Sequence, residues 1–294
     1  HPPVAALFDG VLVQNHDLLK GRLVIDDGED LERTSPVNTR HHGTAMASLI
    51  LHGDIAKDEG ALQRKLYVQY LLAANQDSSV ETTPQSRLLL DVIYSAVLRL
   101  KQAPKELGGD VFVINLSLGD INRPFSGQMS AWGRLIDYLA WKYNLLFIIS
   151  AGNIAEGLSL ATIKQPIQLT KLTDDERHLL FVTAVQAKMA HRSIFSPAEA
   201  INALTVGASH SDGCLTAPSP YLIEPYSSEK FPSLISGLGL GYKQAVKPEV
   251  LNCGGRALYS YIATADGLLL VPGKAGRYFG QQVAGVSSTT DLVR

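Results

Sequence analysis

Apolar runs too short to be helices recur along this chain, each separated from the next by sequence of helical period. Residues 4–8, 66–72, 111–115, 145–149 and 203–207 read as buried strands. Between them, Leu89, Ile93, Ala96, Val97 and Leu100 share one face of a helix. Trp132, Leu135, Ile136, Leu139 and Tyr143 share one face of a second. Residues 45–51 suit a short buried helix, and residues 174–189 a further one set in a loop-rich stretch from 157 to 200. Loops and short irregular strands are expected after Cys214, where Pro, Ser and Gly become frequent. Strands buried on both faces and joined through helices predict an α/β fold, a mostly parallel, doubly wound sheet with helices on both faces. A chain of 294 residues can hold this as a single domain, residues 1–294.

Composition narrows the partners. Hydrophobic residues make up 46% and charged residues 18%, which excludes disorder for the chain as a whole. The net charge of −2 comes from 26 basic and 28 acidic residues with no long block of either sign. Neither nucleic acid nor an anionic membrane is therefore an expected partner. The longest purely apolar mid-chain run, residues 145–149, is far short of the ~18 that a spanning helix needs. Two cysteines, Cys214 and Cys253, make no disulfide framework, and Cys253 reads as a buried thiol. That count leans weakly towards a reducing, intracellular compartment. The chain opens on His1-Pro2-Pro3 and closes on Asp291-Leu292-Val293-Arg294, so it reads as a piece of a longer protein, incomplete at the C-terminus.

In open parallel sheets, ligands bind just beyond the carboxyl ends of the strands. Three such ends here carry unusual polar residues: Asp9-Gly10, Asn115-Leu116-Ser117-Leu118-Gly119 and Ser150-Ala151-Gly152-Asn153. Arg40-His41-His42-Gly43-Thr44 stands immediately before the helix of 45–51. An imidazole paired with a buried carboxylate is fixed in one tautomer and can take and return a proton near neutrality. A nucleophilic hydroxyl would complete that set. Two other readings use the same residues. His41 and His42 could form half of a metal site with His52 and Asp54, although no second ligand falls at i+3 or i+4. Gly237-Leu238-Gly239-Leu240-Gly241 and residues 150–153 could be phosphate loops, although neither fits a dinucleotide or P-loop fingerprint.

Taken together, the motifs resemble the subtilisin family of serine peptidases. Asp9 stands seven positions before His16; His42-Gly43-Thr44, residues 115–119, residues 150–153, residues 202–208 and Lys247-Pro248-Glu249-Val250 follow in the family's order. The resemblance implies a serine endopeptidase acting on peptide or protein through an acyl-enzyme. Asp9 would orient the histidine, His42 would be the general base and then acid, and Asn153 would donate to the oxyanion. Ser117, Leu118 and Gly119 would pair with substrate backbone, while Ala151 and Gly152 would line the pocket for the residue before the cut. Three features depart from the pattern. Gly10 follows Asp9 where the family usually carries Ser or Thr, Asn252-Cys253-Gly254-Gly255 stands where Pro-Gly is usual after the Lys-Pro motif, and no segment has the Gly-Thr-Ser nucleophile motif. Gly285-Val286-Ser287 is the nearest imitation, so the nucleophile is expected beyond Arg294, with Ser287 a weak candidate read as a loop serine. The fragment itself is then expected to be inactive, and to be marginally stable or self-associating. The alternative function is an inactive subtilisin-like module that binds a peptide or a partner protein. No cofactor is expected; relatives often bind calcium, but no carboxylate-dense loop here names a site.

Overall fold

The computed structural model describes residues 1–55, 60–74, 81–84, 86–211, 222–226 and 231–272. The main strands are β1 (Ala5–Gly10), β2 (Leu23–Asp26), β3 (Leu66–Ala74), β4 (Glu81–Thr82), β5 (Val113–Leu116) and β6 (Leu146–Ser150). They are followed by β7 (Leu158–Leu160), β8 (Ala203–Ser209), β9 (Gly239–Leu240), β10 (Val246–Lys247), β11 (Val250–Cys253), β12 (Tyr259–Thr264) and β13 (Gly267–Pro272). The helices are α1 (His42–His52), α2 (Leu89–Gln102), α3 (Ala131–Tyr143) and α4 (Asp174–Gln186).

Seven strands pair side by side in parallel in the order β11-β8-β6-β5-β1-β3-β2, and β4 turns back antiparallel on the end of β3. Successive side chains on β1 point to opposite faces. Ala6 and Phe8 pack with Val92, Ile93, Ala96 and Val97 of α2 and Ile136 and Leu139 of α3. Leu7 packs on the other face with Ala47 and Leu51 of α1. Both faces of the sheet are thus covered, and the stripes read from the sequence on α2 and α3 are the ones that meet it. Local signals fix the helix ends: the Ser130 Oγ accepts from the Gly133 N–H at the start of α3, and Asn144 takes a left-handed conformation after its end. From β1 the chain builds outwards to β3 and β2 on one side and to β5, β6, β8 and β11 on the other. The switch point therefore lies at the carboxyl ends of β1 and β5, where such folds bind ligands.

Four details differ from the sequence reading. Helix α1 starts at His42 instead of residue 45, so the histidine belongs to the helix. The region after Cys214 contains a regular parallel edge strand, β11, and a regular hairpin, β12–β13, which β7 extends to three strands. Strand β2, with four half-buried residues, carried too weak an apolar signal to be seen. Cys253 is exposed because it ends that edge strand; Cys214 lies outside the described residues.

Candidate active site

Asp9 and His42 meet because of the pleat and of one glycine. Asp9 shares the parity of Leu7, so its carboxylate leaves the sheet on the α1 side. The first turn of α1 runs so close to β1 that a Cβ on Gly43 would collide with the Gly10 carbonyl oxygen. Thr44 anchors this turn, its Oγ1 donating to the Arg40 carbonyl and accepting from the Val13 N–H at 2.9 Å. His42 Nδ1 then lies 2.6 Å from Asp9 Oδ1. Asp9 is fully buried and also accepts the Gly10 N–H at 2.6 Å, whereas among the described residues its buried Oδ2 has no hydrogen-bond partner. A β-bulge between Asp9 and Gly10 marks the spot.

The His42 side chain remains 43% exposed. Because a carboxylate only accepts, neutral His42 carries its proton on Nδ1 and leaves Nε2 free to accept one. The Asp9 charge raises the His42 pKa to about 9, opposed by burial and aided by the Asp9 hydrogen bond and the Glu81 charge. Glu81, on β4, is a residue that sequence reading missed. Its carboxyl group occupies the space a Cβ would take on Gly10. Burial, then the Asp9 charge, raises Glu81 to about 7, with His42 opposing. The only sequence trace of this was the glycine standing where a Ser or Thr is usual.

These shifts set a pH dependence with a definite sign. If His42 is a general base, kcat/KM rises with pH and reaches half its maximum near 9 instead of near 6.5. Stability runs the other way. Stabilisation from protonated His42 is complete below pH 6.5 and lost as pH rises through about 9, and that from protonated Glu81 is lost between 4.5 and about 7. A pH–rate profile beside a pH series of Tm values checks both, with activity climbing as Tm falls.

The other candidates gather on neighbouring strands. Register pairs Leu7 with Asn115 and Asn115 with Ile148, so two residues on Asp9, Ser117 and Ser150 share a level. Ser117, Ala151, Gly152 and Asn153 line one cavity of about 320 Å³ together with Asn115, whose Oδ1 accepts from the Ser117 Oγ at 2.9 Å. Asp9 and His42 do not line it; they stand at the end of the adjoining strand. Asn153 is exposed on this rim, its backbone bridged to Ser236. Leu118 packs partly buried against the central core, which leaves its backbone as the part that could engage a ligand. Gly119 and Gly152 close on Phe195: a Cβ at Gly119 would lie 3.2 Å from the Phe195 Cβ, and one at Gly152 2.5 Å from its ring. Ser287 lies outside the described residues.

The described residues hold these side chains in other contacts. His42 is engaged by Asp9, and His52 Nε2 lies 2.8 Å from the Leu18 carbonyl oxygen. Among the described residues no group of three His, Cys, Asp or Glu side chains is placed to hold a metal ion. The glycine run is a strand edge: the Gly237 N–H donates to the Gly152 carbonyl at 2.9 Å and β9 pairs with β10.

Residues 3–290 match the Peptidase_S8 family, the subtilases. This chain belongs to the subtilase family. Over 167 residues the subtilase is 29% identical to y4bN, an uncharacterised protein of Sinorhizobium fredii, a stretch that is 56% of this chain and 34% of y4bN. The chain thus matches about a third of the length of that curated relative. Among solved structures it is similar to the prenylagaramide maturation protease PagA, at a TM-score of 0.46 and 17% identity over 93% of this chain and 70% of PagA. It is also similar to the psychrophilic subtilisin-like protease Apa1 of Pseudoalteromonas sp. AS-11, at 0.45 and 16% over 88% of this chain and 42% of Apa1.

The Lys247-Pro248-Glu249 landmark is structural. The buried Lys247 Nζ donates to the Ala200 carbonyl at 2.8 Å and the Thr205 Oγ1 at 3.0 Å, and pairs with Glu249 at 2.5 Å. Glu249 in turn accepts the Thr205 N–H, so the motif ties the start of β8 to its neighbours. A buried ammonium is tolerable only when it is paired and hydrogen-bonded in this way.

Proposed function

We propose that this subtilase is a serine endopeptidase acting through an acyl-enzyme, and the observation that carries the reading is the 2.6 Å bond between His42 Nδ1 and the buried Asp9. The serine Oγ attacks the peptide carbonyl as its proton passes to His42 Nε2. His42 then returns that proton to the leaving amine as the C–N bond breaks, and water repeats the sequence on the ester. Asn153 donates its side-chain N–H to the developing oxyanion. The serine is expected beyond Arg294, with Ser287 in Gly285-Val286-Ser287 the weak candidate within the chain. Ser117 and Gly119 offer backbone to an extended peptide.

The Phe195 ring stands where a side chain on Gly119 or Gly152 would lie, and from its place beside Gly152 we infer a small residue before the cut. Full-length protein incubated with denatured casein, with products mapped by mass spectrometry, tests both claims. Cleavage after Gly, Ala or Ser is expected, and Phe195→Ala should extend it to larger residues, since exchanges in an apolar pocket change selectivity by about 10–200-fold. Absence of cleavage from pH 7 to 10 would overturn the enzyme reading. Saturable peptide binding without cleavage would favour a non-cutting module, a reading to which the unusual Gly285-Val286-Ser287 sequence lends support.

A further inference from the structure

We propose that Glu81 is a third acid of the Asp9–His42 pair, a positioning residue whose carboxyl group caps Gly10 and whose charge governs how readily His42 gives up its proton. The role rests on the peptidase reading above, but its geometry stands apart from it. Three observations converge. The Glu81 carboxyl group lies where a side chain on Gly10 would be, immediately beside Asp9. Asp9 is fully buried and, among the described residues, its Oδ2 faces no hydrogen-bond partner, which leaves its charge sensitive to a neighbouring charge. The residue after Asp9 is a glycine, which is what an incoming carboxyl group at that place requires.

Among the described residues the charged groups acting on Glu81 are Asp9 of β1 and His42 of α1, and those acting on His42 are Asp9 and Glu81. An ionised Glu81 adds a second negative charge beside the imidazolium and holds its proton. A protonated Glu81 removes that charge and lets His42 become a free base at lower pH. Burial keeps Glu81 close to the point where either form is accessible near neutrality. The pair thus has a neighbour that moves its working pH without touching substrate.

The test is an NMR titration of the His42 ring in full-length protein with 15N-labelled histidine, read beside the pH dependence of kcat/KM. Glu81→Gln keeps the shape and removes the charge, and should lower the His42 midpoint by about one pH unit. Glu81→Asp withdraws the charge from Gly10 and should give a midpoint between those of Glu81→Gln and the wild type. The acid limb of the activity profile should move by the same amounts. A Glu81→Gln midpoint equal to wild type in a folded protein overturns the proposal, and a Glu81→Asp midpoint equal to wild type does so if the Gln variant does not fold. Ordered midpoints without proteolysis at any pH would retire the peptidase reading and leave the coupling of Glu81 to His42 intact. Proteolysis with unmoved midpoints would do the reverse.

Discussion

Asp9→Asn in the full-length subtilase should lower kcat by about 10⁴-fold with KM within a few-fold, and His42→Ala by about 10⁶-fold, the sizes such losses take in Asp-His-Ser peptidases. The asymmetry has a physical reason here. In the proposed mechanism His42 would supply the base itself, whereas Asp9, 2.6 Å from Nδ1, would hold the Nδ1–H and stabilise the imidazolium. An asparagine in place of Asp9 can present an amide N–H to Nδ1 and so favour the wrong tautomer, while the buried volume stays unchanged. The double variant should be no slower than His42→Ala alone, because the two residues act as a unit. Steady-state kinetics on a peptide substrate, with circular dichroism to confirm folding, checks the set. A loss of under tenfold for Asp9→Asn would mean that the close pair does no catalytic work.

Asn153→Ala should lower kcat by about 10²–10³-fold and leave KM nearly unchanged, again a magnitude taken from subtilisin itself. The residue is exposed on the rim of the cavity formed with Ser117, Ala151 and Gly152, so its loss creates no buried void and stability should hold. An effect confined to kcat is the mark of an interaction made only in the transition state. A rise in KM with unchanged kcat would instead assign Asn153 to substrate binding. Kinetics at several substrate concentrations separates the two.

Most of the sheet was legible because strands buried on both faces leave continuous apolar runs, as residues 145–149 and 203–207 do. Helices α2 and α3 were legible because their buried faces repeat at helical spacing. Asp9, the 115–119 segment and Asn153 stood out as polar residues directly after apolar runs, and His42 as an imidazole beside a glycine. Glu81 left no such mark. Its neighbours in the chain, Val80, Thr82 and Thr83, give no hint of chemistry, and it reaches Gly10 only because β4 folds back on β3 beside a bulge. Phe195 is also set by packing: segment 194–196 docks between residues 120–125 and Ala151 through long-range backbone bonds that no local pattern encodes. The hairpin β12–β13 was hidden by a region rich in Pro, Ser and Gly. The exposure of Cys253 follows from an edge position that only the strand order reveals.

The decisive measurement is reaction of the folded full-length protein with a fluorophosphonate, with the modified residue mapped by mass spectrometry in wild type and in His42→Ala. One serine should carry the label, expected beyond Arg294 with Ser287 the weaker candidate, and labelling should vanish in His42→Ala because no base then activates the hydroxyl. A protein that takes up no label between pH 7 and 10, or takes it up equally without His42, would contradict a nucleophile driven by the Asp9–His42 pair.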